Sequence, residues 1–426
     1  MAMQDACPEE KATAHMTVSK QQNLSASRLF FLDNIRSVAI IFVVLFHATL
    51  SYSGGANPWW YVQDPGVIPH LMIFLIFFSV FLIPILFFIS GLLASPSYDR
   101  HGPSSFLKSK FQRLALPLLI CTFLFSPVMP YIRQVLRALD SGSEMTGFWE
   151  FWLQYLQSGS RLYAGSVIQS TQLVVTQYWF LMVLFFFFAA FALYREGKKK
   201  FRPGRTNHRP AGTPSRAAIY IALAATGLIT GVVYFLACNL INTTVWVTLG
   251  DLFQLQPARM PIYAAVFILG ILIHRKGWLD PLLHAGHPVA WLAVSSLMTF
   301  VYLILVGRLP TAPGLLFITC LFRIFLVLSV LIFSISFFHR FLNRSTLLWR
   351  ELSANSYNMY LIHLVPLVVF QLLFLRFSMP PLLKFGIISA LTLLLSYGIS
   401  RFLVRKSGYA TVLALVLLFL AMCFFF

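Results

Sequence analysis

Charged residues are scarce in this sequence. Only 11% of its 426 residues are Asp, Glu, Lys or Arg, whereas soluble domains carry about 25%. Hydrophobic residues make up 58% of the chain. This balance excludes an ordinary soluble domain and indicates a protein that crosses a membrane several times.

Cysteine is scarce as well. The five cysteines are scattered along the chain, and no two have the spacing of a metal site or of a disulfide framework. We interpret them as small hydrophobic residues, and we expect no metal site and no permanently bound cofactor. The segment before Ser27 contains acidic residues and no apolar run, so we also predict no cleavable signal peptide.

Long apolar segments are what the chain does contain, and ten are long enough to span a bilayer. They lie approximately at residues 34–53, 70–94, 114–132, 178–194, 217–240, 260–274, 288–306, 313–338, 355–375 and 382–403. A further run, 409–426, is either an eleventh span or a tail on the membrane surface. We predict an all-α fold, a polytopic membrane bundle of about ten transmembrane helices with a possible eleventh at the C-terminus.

The net charge of +19 raises the question of nucleic-acid binding, but the distribution of the charge reflects topology. Of the 32 Lys and Arg residues, 24 lie in segments on the side of the N-terminus, seven lie on the other side, and Arg323 lies inside a span. This bias follows the positive-inside rule. It predicts a multi-pass protein of the cell membrane (the inner membrane if bacterial) with a cytoplasmic N-terminus and no nucleic-acid partner.

Two connecting segments have a distinctive composition. The outer segment 133–177 contains FWEFWLQYL, whose aromatic residues are typical of an interfacial or re-entrant segment near the mouth of a cavity. The inner segment 195–216 is basic and rich in Pro and Gly. It predicts a disordered stretch that anchors the topology and has some affinity for anionic membrane lipid.

The first span contains two ionisable residues, Arg36 and His47, eleven positions apart. Eleven steps of an α-helix make about 1,100°, about 20° past three turns, so both side chains share one face about 16 Å apart. This spacing places Arg36 at a membrane surface and His47 near the middle of the bilayer. Because a lipid-facing charge there costs several kcal/mol, His47 must face protein or a wet cavity. The structural alternatives are a topology anchor for Arg36 and a helix–helix hydrogen bond for His47.

The ninth span contains Ser356, Tyr360 and His363 at positions i, i+4 and i+7, a polar stripe on an otherwise apolar helix. His363 lies about 12 Å from the inner surface, a depth similar to that of His47, so the two histidines can meet. Arg323 lies about 15 Å deep in the eighth span. The functional interpretations of Arg323 are binding of an anionic substrate, binding of a partner, or polarisation of a reacting group. The structural interpretation is a hydrogen bond to a backbone carbonyl at a helix break.

Polar residues at the inner ends of the first three spans have both functional and structural interpretations. Asp33 and Asn34 are expected to cap the first helix. Ser90 and Gly91 favour close helix packing, and the absence of a Gly-x-Ser-x-Gly elbow argues against a serine-hydrolase nucleophile. A basic cluster can hold the phosphates of a cytosolic cofactor, or it reflects charge bias alone. Its members are Lys108, Lys110 and Arg113.

Taken together, several segments resemble the acyltransferase-3 family of integral membrane proteins. The matching segments are RLFFLDNIRSVAIIFVVLFHA, FFISGLL, KFQRLALPLL, QYWFLMVLFF, RMPIYAAVFILGILI and NSYNMYLIHLVPL. Arg36 and His47 fall on the family's Arg and His, whereas Lys110 stands where many members have Arg. FLDNIR and NSYNMYLIH look closest to the glucan-biosynthesis branch, whose members succinylate periplasmic glucans.

The resemblance extends from about residue 28 to 405, so we expect 28–405 to form an acyltransferase-3 membrane domain. Residues 1–27 then form a disordered cytoplasmic arm and 406–426 a hydrophobic C-terminal segment. The implied reaction moves an acyl group of acetyl or succinyl type from cytosolic acyl-CoA to a hydroxyl of a carbohydrate or glycan acceptor at the outer face. The alternative is a transporter or a lipid or glycan flippase. The lack of Asp and Glu in the span interiors and of an internal repeat weighs against it.

We assign catalytic roles to His47, as the general base, and to Arg36, which would orient the donor or stabilise the oxyanion. If an acyl-enzyme forms, Ser90 or His47 is its nucleophile. The residues expected to bind substrate or support the site are Asp33, Ser90, Trp179, Arg323, Ser356, Tyr357, Tyr360 and His363. The residues expected to bind the acyl-CoA phosphates are Lys108, Lys110 and Arg113.

Overall fold

A computed structural model describes residues 29–407, with gaps at 55–56, 58–59, 125–126, 145, 158–175, 202–214, 242, 244, 250–252 and 309–311. Of the residues that the structure describes, 84% are helical, which confirms the predicted all-α membrane bundle. The predicted arm 1–27 and the apolar run 409–426 lie outside the described residues.

The elements follow one another in a simple order along the chain. The helices are α1 (Phe30–Thr49), α2 (His70–Lys110), α3 (Leu116–Leu124), α4 (Val128–Ser141), α5 (Phe148–Gln157), α6 (Trp179–Phe201), α7 (Arg216–Leu240), α8 (Met260–Arg275), α9 (Leu279–Leu283), α10 (Pro288–Gly307), α11 (Pro313–Phe341), α12 (Leu347–Ile362), α13 (Leu364–Phe374), α14 (Pro381–Gly398) and α15 (Arg405–Ser407). A short antiparallel hairpin, β1 (Val247–Leu249) and β2 (Phe253–Leu255), lies between α7 and α8. Five-residue and six-residue π-helical turns, Phe111–Ala115 and Ile399–Val404, follow α2 and α14.

Eight helical segments in the described part of the chain are long and apolar enough to cross a membrane, or nine if α12 and α13 form one broken span. The predicted spans 70–94 and 114–132 both fall within a single run of 69 residues, His70–Ala138. At 1.5 Å per residue, the 41 residues of α2 would measure about 62 Å, twice the thickness of the hydrocarbon core. α2 is in fact interrupted at Gly102, whose φ of 73° is left-handed. The residues that follow Gly102 therefore lie beyond the apolar span.

The second and eighth helices approach so closely that their backbones touch. A Cβ atom on Gly91 of α2 would lie 2.0 Å from the carbonyl oxygen of Phe267, and one on Gly270 of α8 would lie 2.4 Å from that of Phe88. Only glycine fits at these positions. The interpretation of Ser90–Gly91 as a packing element is thus confirmed for the glycine.

Helix ends rich in Lys and Arg meet at one end of the bundle, which we call the basic face. It contains the start of α1, the ends of α2, α6, α8 and α11, and the start of α12. The amide nitrogen of Asn34 donates to the carbonyl of Leu342 at 2.6 Å, which ties α1 to the end of α11. The hydroxyl of Tyr357 donates to the carbonyl of Arg113, which ties α12 to the π-helical turn after α2.

Two local predictions at the basic face are wrong. α1 begins at Phe30, before Asp33 and Asn34, and has no side-chain cap, because Asn34 bonds to the end of α11 instead. Asp33 lies 3.6 Å from Arg36 as an ion pair one turn apart. In the segment 195–216, predicted to be disordered, the prediction is wrong for residues 195–201. There α6 continues as a helix to Phe201, because a helix already nucleated by the apolar span extends at little cost. Residues 202–214 lie outside the described residues.

Candidate active site

The site is built around a bend in the ninth span. Pro366 lacks the N–H that would bond the carbonyl four residues earlier, and the helix breaks at His363 with an angle of 64° between α12 and α13. Side chains satisfy backbone carbonyls at the bend. The Nδ1 atom of His363 lies 2.7 Å from the carbonyl oxygen of Tyr360, and the hydroxyl of Tyr178 donates to the carbonyl of Leu361 at 3.0 Å. The break therefore fixes the orientation of His363.

Two histidines meet at this bend. The Nε2 atom of His363 lies 3.2 Å from Nδ1 of His47, and the two ring centres are 5.1 Å apart. His363 is fully buried, whereas His47 is partly exposed. Both lie about 25 Å from the basic-face ends of their helices. The prediction that the two histidines reach the same depth and meet is confirmed.

The hydrogen-bond partners determine which nitrogen of each neutral ring carries the proton. His363 faces a carbonyl through Nδ1, so Nδ1 carries the proton and Nε2 is an acceptor. The Nδ1 atom of His47 faces two hydrogen-bond acceptors. They are the Nε2 atom of His363 and the carbonyl oxygen of Val43, which lies 2.9 Å away. The proton of His47 is therefore on Nδ1, and its Nε2 keeps a lone pair that takes no hydrogen bond from any described residue. An oriented imidazole with a free Nε2 lone pair is the arrangement of a general base.

An aromatic residue that the sequence analysis missed covers His47. The ring of Trp60 stacks on His47 at 5.8 Å with an interplanar angle of 23°. The indole N–H of Trp60 donates to Oε1 of Gln371 at 2.9 Å, and Arg133 donates to the carbonyl of Trp60 at 2.6 Å. Gln371, a buried amide in an otherwise apolar helix, was the signal in the sequence that could have revealed this contact.

A buried ion pair fixes the connection between α1 and α2, which carries Trp60. Lys384 of α14 lies 3.0 Å from Asp64, and their side chains are 7% and 4% exposed. Asp64 also accepts the backbone N–H of Gly66 at 2.8 Å. In the charge count, Lys384 was only one of the seven basic residues on the side opposite the N-terminus. Its actual role is to hold this connection over the histidine pair.

Hydroxyl groups form one side of the site. Tyr360 donates to the carbonyl of Gln177 at 2.9 Å, and the Gln177 side chain donates to the hydroxyl of Tyr61 at 3.4 Å. Burial raises the pKa of Tyr61, which lies in the connection between α1 and α2, to about 12. Tyr61 therefore stays a neutral hydroxyl at physiological pH.

Three cations gather at the basic face, at the other end of α1. Burial, followed by the charges of Arg113 and Arg36, lowers the pKa of Lys110 to about 8. The three side chains are therefore neighbours. The ammonium of Lys110 also lies 4.3 Å above the ring of Phe188. Lys108 is exposed nearby. We call Arg36, Lys108, Lys110 and Arg113 the basic rim.

Several predicted site residues lie away from the histidine pair. Ser356 bonds the carbonyl of Ser353 within its own helix, and Ser90 is partly buried on α2 with no hydrogen bond to either histidine. Trp179 packs against Tyr263, with ring centres 5.5 Å apart.

Arg323 bonds the hydroxyl of Tyr302 in a separate cluster. The structure thus brings together His47, His363 and Tyr360 at one level, and Arg36, Lys110, Arg113 and Tyr357 at the basic face.

Comparison with known proteins identifies the family of this chain. A family model described as an acyltransferase domain matches residues 29–401. No curated protein and no solved structure matches this chain. The matched range contains the histidine pair, the covering connection and the basic rim. Among the described residues, no group of three His, Cys, Asp or Glu side chains could hold a metal ion.

Proposed function

Because this chain belongs to the acyltransferase-3 family of membrane acyltransferases, we propose that it transfers an acyl group from cytosolic acyl-CoA to a hydroxyl of a glycan at the opposite membrane face. The observation that carries this proposal is the partly exposed His47, whose Nδ1 proton is fixed and whose Nε2 is free. A base in this state is ready to accept a proton from an alcohol.

The basic rim is suited to the phosphates of the donor. Twelve bonds join the phosphate oxygen of the pantetheine arm to the sulfur of acyl-CoA, the length of four extended residues, or about 14 Å. Along α1, the rise from Arg36 to His47 is about 16 Å. A donor with its phosphates at the rim can therefore bring its thioester to the histidine pair. At that distance Arg36 fits the role of orienting the donor and does not fit that of stabilising the oxyanion.

The proposed step is a direct transfer. The acceptor hydroxyl gives its proton to Nε2 of His47 while its oxygen forms a bond to the thioester carbon. The C–S bond then breaks, and the CoA thiolate takes the proton from His47. His363 positions the ring, because its Nε2 accepts the Nδ1 proton of His47 in both the neutral and the charged state. A positioned base of this kind contributes about 10²–10⁴-fold to the rate.

The face opposite the basic rim is suited to a carbohydrate acceptor. Tyr61 is partly buried and lies against Trp60, whose buried ring stacks on His47. The ring of a tyrosine combines an apolar face with a polar hydroxyl. The excess of Lys and Arg at the basic face supports a cytoplasmic N-terminus in the cell membrane. The resemblance of FLDNIR and NSYNMYLIH to the glucan-biosynthesis branch supports succinyl transfer to a glucan as the first reaction to test.

The assay uses purified protein in vesicles, with acetyl-CoA or succinyl-CoA as donor and a glucan as acceptor. We expect release of free CoA together with the matching mass increase on the glucan, both lost in a His47→Asn variant and retained in a His101→Ala variant, whose histidine is exposed. Movement of unmodified glycan across the membrane without consumption of acyl-CoA would instead establish the transporter or flippase alternative.

A further inference from the structure

A second buried polar cluster lies where α7, α10 and α11 meet, in the half of the bundle away from the basic face. Its central residue is Arg323, which is 8% exposed. The Nη1 atom of Arg323 donates to the hydroxyl of Tyr302 at 2.9 Å, and its guanidinium carbon lies 5.8 Å from the ring centre of Tyr234. The proposed transfer does not use this cluster.

Two arginines in the cluster have unused donors. The Nε atoms of Arg323 and Arg259 are both buried, and neither has a hydrogen-bond partner among the described residues. Both guanidinium groups are close enough to Tyr234 and Cys238 to interact with them electrostatically. Within the described ranges, no carboxylate lies within ion-pair distance of either arginine.

This arrangement leaves positive charge in the bundle without a counter-charge among the described residues. One bond to a neutral phenol and a contact with an aromatic ring offset only part of the cost of burying a guanidinium group. Intramembrane arginines normally pair with an anion or serve a substrate path. Arg259 immediately precedes α8 at the face opposite the basic rim, and Arg323 lies about 15 Å along α11 from that same face. An anion approaching from that face would pass Arg259 and reach Arg323.

We propose that Arg323 and Arg259, together with the hydroxyl of Tyr302, form a binding site for a single phosphate or carboxylate group. The guanidinium groups supply charge-assisted N–H donors, which suit the planar or tetrahedral oxygens of such a group. The group belongs either to the glycan acceptor or to a lipid headgroup. The inference depends on the cluster alone and stands whether or not acyl transfer is the activity.

The position of the cluster connects it to the histidine pair. Both lie against the start of α6, where Tyr178 bonds the carbonyl of Leu361 at the bend and Trp179 packs against Tyr263. Tyr263 in turn interacts electrostatically with Arg323. A ligand held at Arg323 is therefore linked to the bend beside His363 through Tyr263, Trp179 and Tyr178.

The binding test uses the full-length protein in neutral detergent, without donor, and titrates inorganic phosphate at constant ionic strength while thermal unfolding is followed. The background variant has Lys108, Lys110 and Arg113 changed to Gln, which removes three of the four cations of the basic rim. We expect phosphate to raise the unfolding temperature of this background. Arg323→Gln and Arg259→Gln should weaken the effect about tenfold or more, with Arg323→Lys weakened less.

The matched control is Arg308→Gln, which removes an exposed arginine between α10 and α11 and should leave the phosphate effect unchanged. The proposal would be overturned if phosphate raised the unfolding temperature equally in Arg323→Gln, in Arg259→Gln and in the background variant. It would also be overturned by a stronger effect in Asp251→Asn, at an acidic residue eight positions before Arg259 that lies outside the described residues, because it would mean that a carboxylate of the chain already neutralises the arginines. If Arg323→Gln does not fold, Arg259→Gln and Arg323→Lys decide the matter.

Two further arms distinguish the sources of the group. If a lipid headgroup supplies it, phosphatidylglycerol vesicles should stabilise the background variant more than phosphatidylcholine vesicles, and Arg323→Gln should remove the difference. If the acceptor supplies it, Arg323→Lys should raise the KM for the acceptor while leaving the KM for acyl-CoA unchanged. The site is refuted if phosphate does not stabilise the background variant and neither arm gives its expected result. Arg323 would then only link α11 to α10 through its bond to Tyr302.

Discussion

Replacing His47 by Asn separates its chemistry from its structural contacts. The amide nitrogen of Asn can take the place of the imidazole Nδ1 and donate to Val43 or His363, but nothing takes the place of Nε2. The variant loses the stacking on Trp60, which is worth roughly 0.5–1.5 kcal/mol. His47→Ala loses the donor as well, and the buried Nε2 of His363 is left unsatisfied at a further cost of about 1–3 kcal/mol.

Stability and turnover should therefore change differently across the wild type and these two variants. Stability should fall from wild type to His47→Asn and again to His47→Ala. Turnover should fall by about 10²–10⁴-fold in both variants, equivalent to roughly 2.7–5.4 kcal/mol of activation free energy, because both lack the base.

The assay is acyl-CoA-dependent release of free CoA by membranes, normalised to folded protein measured by fluorescence-detected gel filtration. His101→Ala, which removes an exposed histidine of α2, is the control and should retain full turnover. If turnover in His47→Asn were near normal, or lay between wild type and His47→Ala in step with stability, His47 would be a packing residue and the proposed base would be refuted.

Three further outcomes are expected. His363→Ala should lower turnover by less than His47→Asn, because charged His47 keeps the Val43 carbonyl as an acceptor; an equal loss would mean that His363 shares the proton. Lys110 carries its charge below its pKa of about 8 and loses it as the pH rises, so kcat/KM for acyl-CoA should decline above pH 8. Lys110→Arg should remove that decline, and a decline that persists in this variant would contradict a role of Lys110 in donor binding. Asp64→Asn leaves a buried ammonium unpaired and should cost about 3–5 kcal/mol of stability; thermal unfolding should show recovery when Lys384→Met is added, and no recovery would contradict the pairing.

Helical periodicity predicted the features of the site that lie along single helices. Arg36 and His47 occupy one continuous helix, and the similarity of the depths of His47 and His363 followed from counting residues. The break at His363 is also visible in the sequence, since Pro366 follows three residues later. What periodicity cannot give is the path of a connection. For this reason Trp60 above His47 was missed.

The position of Arg323 shows a second limit. Its depth in the eighth span was predicted, but the direction of its side chain depends on how α11 is rotated against α7 and α10. Glycines set part of that contact, since a Cβ on Gly227 would lie 2.7 Å from the ring of Phe325. Such packing depends on all three helices together. The same reasoning explains the wrong cap at Asp33 and Asn34, because only the folded bundle brings Asn34 to the end of α11.

The hydrogen-bond chain of the histidine pair also bears on the energy stored across the membrane. A proton wire conducts only if every member can both accept a proton and pass one on. Here the chain runs from His47 through His363 and ends at the carbonyl oxygen of Tyr360, which can accept a hydrogen bond but does not relay a proton. In the proposed transfer, the pair can therefore take up and release a proton in each cycle without conducting protons along this chain, so the electrochemical gradient is not dissipated through it.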